Sequence, residues 1–222
     1  MKVVLKIGGS VLGSPPSATL VREYVKVIRR IRRQDHSIAA IVGGGPISRD
    51  YIGQAERLNL SKAERDWLAI LVSRVNARFL IDALGGLPKV VPETVEALVE
   101  IFRTRKVAVM GGLKPGMTTD TVASLVAKAV NADVLVKASD QEGIYTSDPR
   151  KDPSSKKLER LSYGELKNLL AGEHEPGIHR ILDPVAVEVL SRNKIRVVVL
   201  NGFHPENVLT AIEGTPVGTI IE

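Results

Sequence analysis

The sequence predicts an α/β protein, a three-layer α/β/α sandwich built on a mostly parallel central sheet. Two observations lead to this fold class. Short runs of β-branched residues alternate along the chain with longer segments of helical periodicity, which is the pattern of repeated strand–helix–strand units. The predicted strands are also almost continuously apolar, and such strands are typical of parallel sheets that are covered on both faces.

The elements follow one another in a regular order. Strands are predicted at residues 3–7, 38–42, 107–110, 134–136, 196–200 and 218–221. Helices are predicted at residues 17–34, 47–58, 62–84, 119–130, 183–192 and 205–212. In the first helix, Leu20, Tyr24, Ile28 and Ile31 recur at helical spacing and form one buried stripe. Helices with a single apolar stripe are suited to covering the faces of such a sheet.

The composition excludes several classes of protein. The chain has 222 residues and no cysteine, so disulfide frameworks, thiolate zinc sites and cysteine nucleophiles are excluded. Its four histidines show no metal-ligand spacing. No apolar run approaches the ~20 residues of a membrane helix, and residues 1–8 lack the features of a signal peptide. We therefore expect a cytoplasmic protein with no membrane partner.

The charge balance indicates an anionic partner. The chain carries 31 basic and 25 acidic residues, a formal net charge of +6. Aromatic residues make up 4%, too few for a platform that stacks nucleic acid bases. The arginine-rich run at residues 29–33 falls on the outer face of the first helix, where such runs are usually solvated. We expect small anions and no nucleic acid, with a nucleic-acid-binding or regulatory module as the alternative of a different class.

Three glycine clusters each come directly after a predicted strand, at residues 8–10, 43–45 and 111–112. Glycine lets backbone N–H groups approach a phosphate, and ligands of α/β sheets bind at the carboxyl ends of the strands. Tight turns alone are the alternative explanation. The clusters match neither a dinucleotide-binding fingerprint nor a P-loop, since Met117 stands where a P-loop has lysine. Together they predict a site for several phosphates.

Two lysines interrupt the apolar strands close to these glycines. Lys6 precedes the first cluster, and Lys137 closes the run that begins at residue 134. A buried ammonium needs an anion or a cleft, and two of them could neutralise a phosphoryl group in transfer. Asp120, near the start of a predicted helix, could hold both lysines in position or simply cap that helix.

Taken together, these motifs resemble the amino acid kinase family, and within it the archaeal-type uridylate (UMP) kinases. The resemblance runs from residue 2 to residue 222 and is carried by residues 6–10, 42–45, 73–77, 111–120, 140–149 and 181–184. It implies the amino acid kinase fold, with a single domain over residues 1–222. The UMP-binding lobe would lie mainly in the N-terminal half, and the ATP-binding lobe mainly at about residues 133–222.

The resemblance also implies roles for individual residues. The residues implied as catalytic are Lys6, Asp120 and Lys137. Those implied in ATP binding are Gly9, Ser10, Gly45, Arg49, Ser139, Asp140, Tyr145 and Asp148. Those implied in UMP binding are Gly44, Asp66, Gly112, Leu113, Lys114, Pro115, Gly116, Met117 and Thr118. The chain departs from its relatives at Ser139-Asp140 and Gln141-Glu142, so its nucleotide-side contacts follow less directly than its phosphate loops.

The reaction implied is transfer of the γ-phosphoryl group of ATP to UMP in pyrimidine nucleotide biosynthesis. Mg²⁺ would be carried by the ATP phosphates with no protein metal site, and the protein would be a homohexamer. Isopentenyl phosphate kinase is the alternative within the family, but that branch typically has a histidine before its triple glycine, where this chain has Val42. Acylglutamate and aspartate kinases share the loops but lack the pair Arg49 and Asp66. A non-catalytic nucleotide sensor on the same fold is the remaining alternative.

Overall fold

The elements alternate along the chain as the sequence predicts. The computed structural model describes residues 1–13, 15–147, 149, 151–171 and 182–222. The strands are β1 (Lys2–Ile7), β2 (Ser37–Val42), β3 (Val107–Met110), β4 (Val134–Ser139), β5 (Ile144–Tyr145), β6 (Lys157–Leu158), β7 (Arg160–Leu161), β8 (Arg196–Asn201) and β9 (Thr219–Ile221). The helices are α1 (Gly9–Leu12), α2 (Ala18–Arg33), α3 (Gly45–Arg57), α4 (Lys62–Leu84), α5 (Val95–Arg105), α6 (Thr119–Val130), α7 (Tyr163–Ala171), α8 (Pro184–Arg192) and α9 (Asn207–Ile212).

One mixed sheet forms the centre of the molecule. Within the described residues it has seven strands in the order β3-β2-β1-β4-β8-β9-β7. Every neighbouring pair is parallel except β8 and β9, which run antiparallel. Strands β5 and β6 form a separate antiparallel pair. The predicted mostly parallel sheet is therefore confirmed.

Each face of the sheet is covered by its own apolar cluster. On β1, Val3, Leu5 and Ile7 join a cluster with residues of α2, α4 and α9, whereas Val4 joins a second cluster with residues of α5, α6 and α8. The division follows from the two-residue repeat of a strand, which sends successive side chains to opposite faces. The three-layer arrangement predicted from the sequence is confirmed.

Helix α2 shows how charge and burial are separated on one element. Ile28 and Ile31 are buried in the core, whereas the arginines of residues 29–33 lie on the exposed side of the helix. Arg29 donates a hydrogen bond to the carbonyl of Leu84 at the end of α4, and Arg30 lies 3.9 Å from Glu213. The predicted outward position of this basic run is confirmed.

The structure also contains elements that the sequence analysis does not predict. Helix α5 is one of them; only Leu98 and Phe102 of its residues are buried, so its apolar stripe is too narrow to stand out. Helix α7 and the single turn of α1 are further additions. Strand β4 extends past the predicted end at residue 136 to Ser139. The longer strand carries Lys137 inside the sheet instead of at its rim.

Within the described part of the chain, no helix combines the length and the apolar character needed to span a lipid bilayer.

Candidate active site

The three glycine clusters meet at one edge of the sheet. Strands β1, β2 and β3 are consecutive in the sheet and parallel, and each cluster follows the carboxyl end of one of them. Strand β4 lies on the other side of β1 in the same direction. The clusters and the end of β4 therefore form the rim of a single crevice, which is where α/β sheets bind their ligands.

Packing between backbones requires glycine at several of these positions. A Cβ atom on Gly9 would overlap the backbone of Gly45, and one on Gly45, whose φ is +73°, would overlap the backbone of Gly9. Gly111 packs against α4, where an added Cβ would lie 2.8 Å from the backbone nitrogen of Arg74. The glycines thus bring the loops after β1 and β2 together and seat the loop after β3 on a helix. This close packing accounts for their presence whether or not a phosphate binds.

Lys6 and Lys137 lie side by side in the sheet. They are register partners on the neighbouring parallel strands β1 and β4, so the strand alternation directs both side chains to the same face. Val4 and Leu135, two residues earlier on each strand, belong to the cluster beneath α6. Lys6 is 8% exposed and Lys137 3%. Both lysines are therefore buried within the sheet, as their positions inside apolar strands predict.

Asp120 lies between the two ammonium groups. Its Oδ1 atom is 3.4 Å from Nζ of Lys6, and its Oδ2 atom accepts a hydrogen bond of 2.8 Å from Nζ of Lys137. Asp120 is in the first turn of α6, but it does not cap that helix. The hydroxyl of Thr118 does so, accepting the backbone N–H groups of Asp120 and Thr121. The sequence leaves two roles open for Asp120, a helix cap or a bridge between the lysines, and the structure shows the bridge.

In the cluster formed by Lys6, Lys137 and Asp120, burial and the neighbouring opposite charge shift the pKa values of Lys137 and Asp120 in opposite directions. Burial lowers the pKa of the Lys137 ammonium to about 8, against the attraction of Asp120, and Lys6 adds to the lowering. Burial alone would raise the pKa of the Asp120 carboxyl, but Lys137 and Lys6 together hold it below its usual value. At neutral pH Lys137 is therefore mostly protonated and Asp120 is ionised.

The residues expected to bind ATP phosphates lie together at the start of two helices. Gly9 and Ser10 begin α1, and Gly45 begins α3. From the next turn of α3, Nη1 of Arg49 is 3.5 Å from the hydroxyl oxygen of Ser10. The packing of Gly9 on Gly45 joins the two helix starts. Backbone N–H groups and one guanidinium thus converge on the same side of the crevice.

The residues expected to hold the adenosine portion are more widely spread. Ser139 ends β4, two residues after Lys137, and its hydroxyl accepts the backbone N–H of Gln141. Tyr145 lies in the small β5–β6 sheet. Asp140 follows Ser139 directly in the chain, whereas Asp148 lies outside the described residues.

The chain ties its unusual Gln141-Glu142 segment to the adjacent strand. Glu142 accepts a hydrogen bond of 2.6 Å from the amide of Asn201 at the end of β8. One residue further on, the backbone N–H of Gly202 donates to the carbonyl of Ser139. The segment that departs from the family pattern is therefore anchored to β8 by side-chain and backbone bonds.

The residues expected to bind UMP form a loop, residues 112–118, that lies against α4. Asp66, in the first half of α4, accepts the backbone N–H of Gly116 at 2.8 Å. The backbone N–H of Met117 donates to the carbonyl of Lys114, which closes a tight turn around Pro115. A carboxylate offers about four acceptor positions, so this bond leaves Asp66 able to accept ribose hydroxyls.

Two more members of this set complete the acceptor side. Gly44 lies in the loop after β2, and its carbonyl accepts the side-chain amide of Asn76 in α4 at 3.3 Å. Leu113 is partly buried against the apolar cluster under α6. The residues expected to bind UMP thus lie along α4, between Asp66 and Asn76.

Sequence reasoning assigned no role to three polar residues of α4 that hold these loops. The Ser73 hydroxyl accepts the N–H of Gly112 at 2.7 Å, and Arg74 donates to the carbonyls of Gly112 and Leu113, each at 3.1 Å. Asn76 donates to the carbonyls before α3. Ser73 is 1% exposed and Asn76 5%. Polar residues on the buried side of a helix must find hydrogen-bond partners, and that signal was present in the sequence.

Residues 1–201 match the model of the amino acid kinase family, and the chain belongs to that family. Within it, the chain is similar along its whole length to proteins named uridylate kinase. It is 41% identical to the one from Methanothrix thermoacetophila, covering 100% of this chain and 99% of the relative. It is 39% identical to the one from Hyperthermus butylicus, covering 99% of this chain and 97% of the relative.

Solved structures show the same likeness. The crystal structure of uridylate kinase from Archaeoglobus fulgidus superposes with a TM-score of 0.89 at 36% identity, over 100% of both chains. The structure of UMP kinase from Bacillus anthracis superposes with a TM-score of 0.83 at 21% identity, over 100% of this chain and 95% of that one. The second comparison shows a shared fold alone.

Replacing Asp120 by Asn tests the charge balance of the cluster. We expect the free energy of unfolding at pH 7 to fall by about 3 kcal/mol, because two buried ammonium groups lose their carboxylate. In the variant the pKa of folded Lys137 falls further below that of the unfolded lysine. The unfolded chain then binds more protons than the folded one over a wider pH range, so the stability of the variant rises with pH.

Guanidinium unfolding at pH 7 and pH 9 measures how much unfolding free energy Asp120→Asn loses relative to the unmodified protein. This loss should be smaller at pH 9. Asp82→Asn is the matched control, because it removes a carboxylate from an exposed ion pair with Arg78 and should cost about 1 kcal/mol or less. An Asp120→Asn loss that equals the control, or one that does not change with pH, would contradict the charge assignment.

Proposed function

We propose that this chain is a UMP kinase, which transfers the γ-phosphoryl group of ATP to UMP and yields ADP and UDP. The observation that carries the proposal is the pair Lys6 and Lys137, buried in register on adjacent strands and bridged by Asp120. Such a pair at the rim of glycine-rich loops is suited to a reaction in which negative charge moves between oxygens. It is less easily explained by nucleotide sensing, which needs no paired charges buried at this depth.

The choice of UMP as acceptor is supported by the relatives named uridylate kinase. These match the chain at 36–41% identity. The chain also has a geometry suited to an acceptor nucleotide, because Asp66 lies against the loop of residues 112–118 and the last residue of that loop, Thr118, caps the helix that carries Asp120.

The proposed chemistry needs no general base. The second ionisation of a phosphate monoester falls near pH 6, so the UMP phosphate is largely a dianion at neutral pH. One of its oxygens forms a bond to the γ-phosphorus of ATP while the bond from that phosphorus to the β,γ-bridging oxygen breaks. The bonding electrons leave with ADP. Positioning and charge neutralisation are what the protein must supply.

Each part of the crevice would have one task in this step. Lys6 and Lys137 would stabilise the transferring phosphoryl, while Asp120 keeps the two ammonium groups apart and in place. The N–H groups at the starts of α1 and α3, together with Arg49, would hold the ATP phosphates. The residue 112–118 loop and Gly44 would hold the UMP phosphate. The two nucleotides would then approach the lysine pair from opposite sides.

We propose that Mg²⁺ is carried by the ATP phosphates and not by a protein site. Among the described residues, no group of three or more histidine, aspartate or glutamate side chains could hold a metal ion. Both oxygens of Asp120 face lysine ammonium groups, and both oxygens of Asp183 accept hydrogen bonds. When bound, the ion would neutralise phosphate charge and orient the oxygens.

The arrangement also supports the predicted division into two lobes. The residues predicted to bind UMP lie in the loop after β2, on α4 and in the loop after β3, whereas the predicted adenosine residues lie from Ser139 onward. We propose one amino acid kinase domain with the UMP-binding lobe mainly in the N-terminal half and the ATP-binding lobe mainly at residues 133–222. Because ATP and UMP are intracellular metabolites, a cytoplasmic location fits this reaction.

We propose further that the protein is a homo-oligomer, with a hexamer as the predicted state, and that α4 lies at a contact between copies. Its outer side carries an exposed apolar stripe formed by Trp67, Leu71, Val75 and Phe79, which are 44%, 53%, 67% and 42% exposed. The four residues are spaced four apart, so they lie along one side of the helix. Contiguous exposed apolar surface of this kind marks sites of protein association.

The acceptor is tested by measuring ADP release from ATP and Mg²⁺ with UMP, isopentenyl phosphate or no acceptor, each offered separately. We expect turnover with UMP well above the other two reactions. Faster turnover with isopentenyl phosphate would assign the protein to that alternative. Nucleotide binding without ADP release in any reaction would indicate the non-catalytic sensor.

Lys6→Ala tests the role of the lysine pair. Removing one charge-stabilising donor from the transferring group should lower kcat with UMP by about a hundredfold or more, whereas UMP binding, followed by calorimetry, should remain measurable. Lys2→Ala is the control, because Lys2 lies on the same strand with an exposed side chain at the opposite end from the crevice. Near-normal kcat in Lys6→Ala would contradict the role.

The association surface is tested by Val75→Glu, which places a charge in the middle of the apolar stripe. We expect light scattering after size-exclusion chromatography to show an oligomer for the unmodified protein and a smaller species for the variant. Val90→Glu changes a valine of similar exposure away from α4, 65% against 67%, and should leave the mass unchanged. A monomeric unmodified protein would contradict the proposal.

A further inference from the structure

Asp183 accepts more hydrogen bonds than capping a helix requires. It precedes α8 and caps that helix, with its Oδ1 accepting the backbone N–H of Ala186 at 3.0 Å. A cap needs only this bond. The same carboxylate also accepts the hydroxyl of Thr118 at 2.6 Å and the hydroxyl of Thr121 at 2.9 Å. Both hydroxyls belong to the start of α6, so Asp183 joins the first turns of two helices.

These bonds lead directly to Asp120. Because Thr118 donates its hydroxyl proton to Asp183, the oxygen lone pairs are left to accept the backbone N–H groups of Asp120 and Thr121, each at 3.1 Å. Thr121 is 4% exposed, so its hydroxyl needs a partner within the protein, and Asp183 provides it. Asp183 thus holds the hydroxyl of Thr118, and that hydroxyl in turn holds the backbone N–H of Asp120.

We propose that Asp183 is a positioning residue of the phosphoryl-transfer site, which holds the first turn of α6 through Thr118 and Thr121 so that Asp120 stays between Lys6 and Lys137. This inference rests on the proposed function for its activity measurements. Thr118 also ends the predicted UMP-binding loop. Through the hydroxyls of Thr118 and Thr121, Asp183 therefore holds both the start of the helix that carries Asp120 and the end of the predicted UMP-binding loop.

The charge of Asp183 acts on the cluster as well. Lys137 is faced by Asp120 from α6, Lys6 from β1 and Asp183 from the start of α8. Burial lowers the pKa of Lys137 to about 8, Lys6 adds to the lowering, and the two carboxylates oppose it. If the protonated form of Lys137 stabilises the phosphoryl group, kcat/KM of the unmodified protein falls as the pH rises through about 8.

Asp183→Asn removes the charge and one acceptor while keeping the size of the side chain. We expect kcat with UMP to fall by about tenfold to a hundredfold, the range seen when a partner that orients a metal ligand is lost. The alkaline limb of kcat/KM should move to lower pH, because Lys137 loses one of its two carboxylates. Thr121→Val keeps the charge and removes one hydroxyl, so it should lower kcat less and leave the alkaline limb in place.

The control is Glu188→Gln, which removes a carboxylate from the exposed side of α8, where it pairs with Lys167 and Arg192. It should leave kcat and the pH profile unchanged. An Asp183→Asn protein that is less stable but has the unmodified kcat and pH profile would reduce Asp183 to a helix cap and overturn the proposal.

A second measurement separates this inference from the proposed function. If the unmodified protein does not phosphorylate UMP, the proposed function fails, and the pH dependence of unfolding then decides the role of Asp183. Lowering the pKa of folded Lys137 makes the unfolded chain bind more protons over a wider range. The free energy of unfolding of Asp183→Asn should therefore rise more between pH 7 and pH 9 than that of the unmodified protein. Equal rises would overturn the proposal.

Discussion

The side-by-side placement of Lys6 and Lys137 is the arrangement on which the rest of the site depends. Adjacent parallel strands hold the two residues in register, and the helices on that face exclude water from their stems. Two like charges at this spacing would repel each other and resist burial, so the fold needs a carboxylate between them. Asp120 supplies it, and the start of α6 must then be fixed. The pairing of β1 with β4 thus determines which side chain the start of α6, the helix directly before β4, has to carry.

Helix α4 serves two parts of the molecule at once. Its inner side holds the loops before α3 and after β3 through Ser73, Arg74 and Asn76, while its outer side bears the exposed apolar stripe. Arg74 connects the two sides, because its guanidinium lies 5.9 Å from the centre of the Trp67 ring and also pairs with Glu93. The loop of residues 112–118 is therefore held by a helix whose other side is exposed.

Much of the fold could be predicted from local sequence, because apolar strand runs and helical stripes are visible within a few residues of each other. Lys6 and Lys137 stood out for the same reason, as charges inside apolar strands. Their contact could not be predicted from the residues, since the pairing of β1 with β4 depends on strand order and not on local pattern. The partners of Ser73 and Asp183 were likewise hidden, because each bond joins elements that are distant in the chain. Helix α5 was missed since only two of its side chains are buried.

The contact between Gly9 and Gly45 has a consequence for how the sequence can change. Each residue leaves room only because the other has no side chain, and a Cβ on either would enter the backbone of its partner. A second substitution elsewhere cannot relieve an overlap between main chains. Substitution is therefore disfavoured at both positions. A library of random variants selected for folding alone should return glycine at both. The pair of glycines thus sets how closely the loops after β1 and β2 can approach each other.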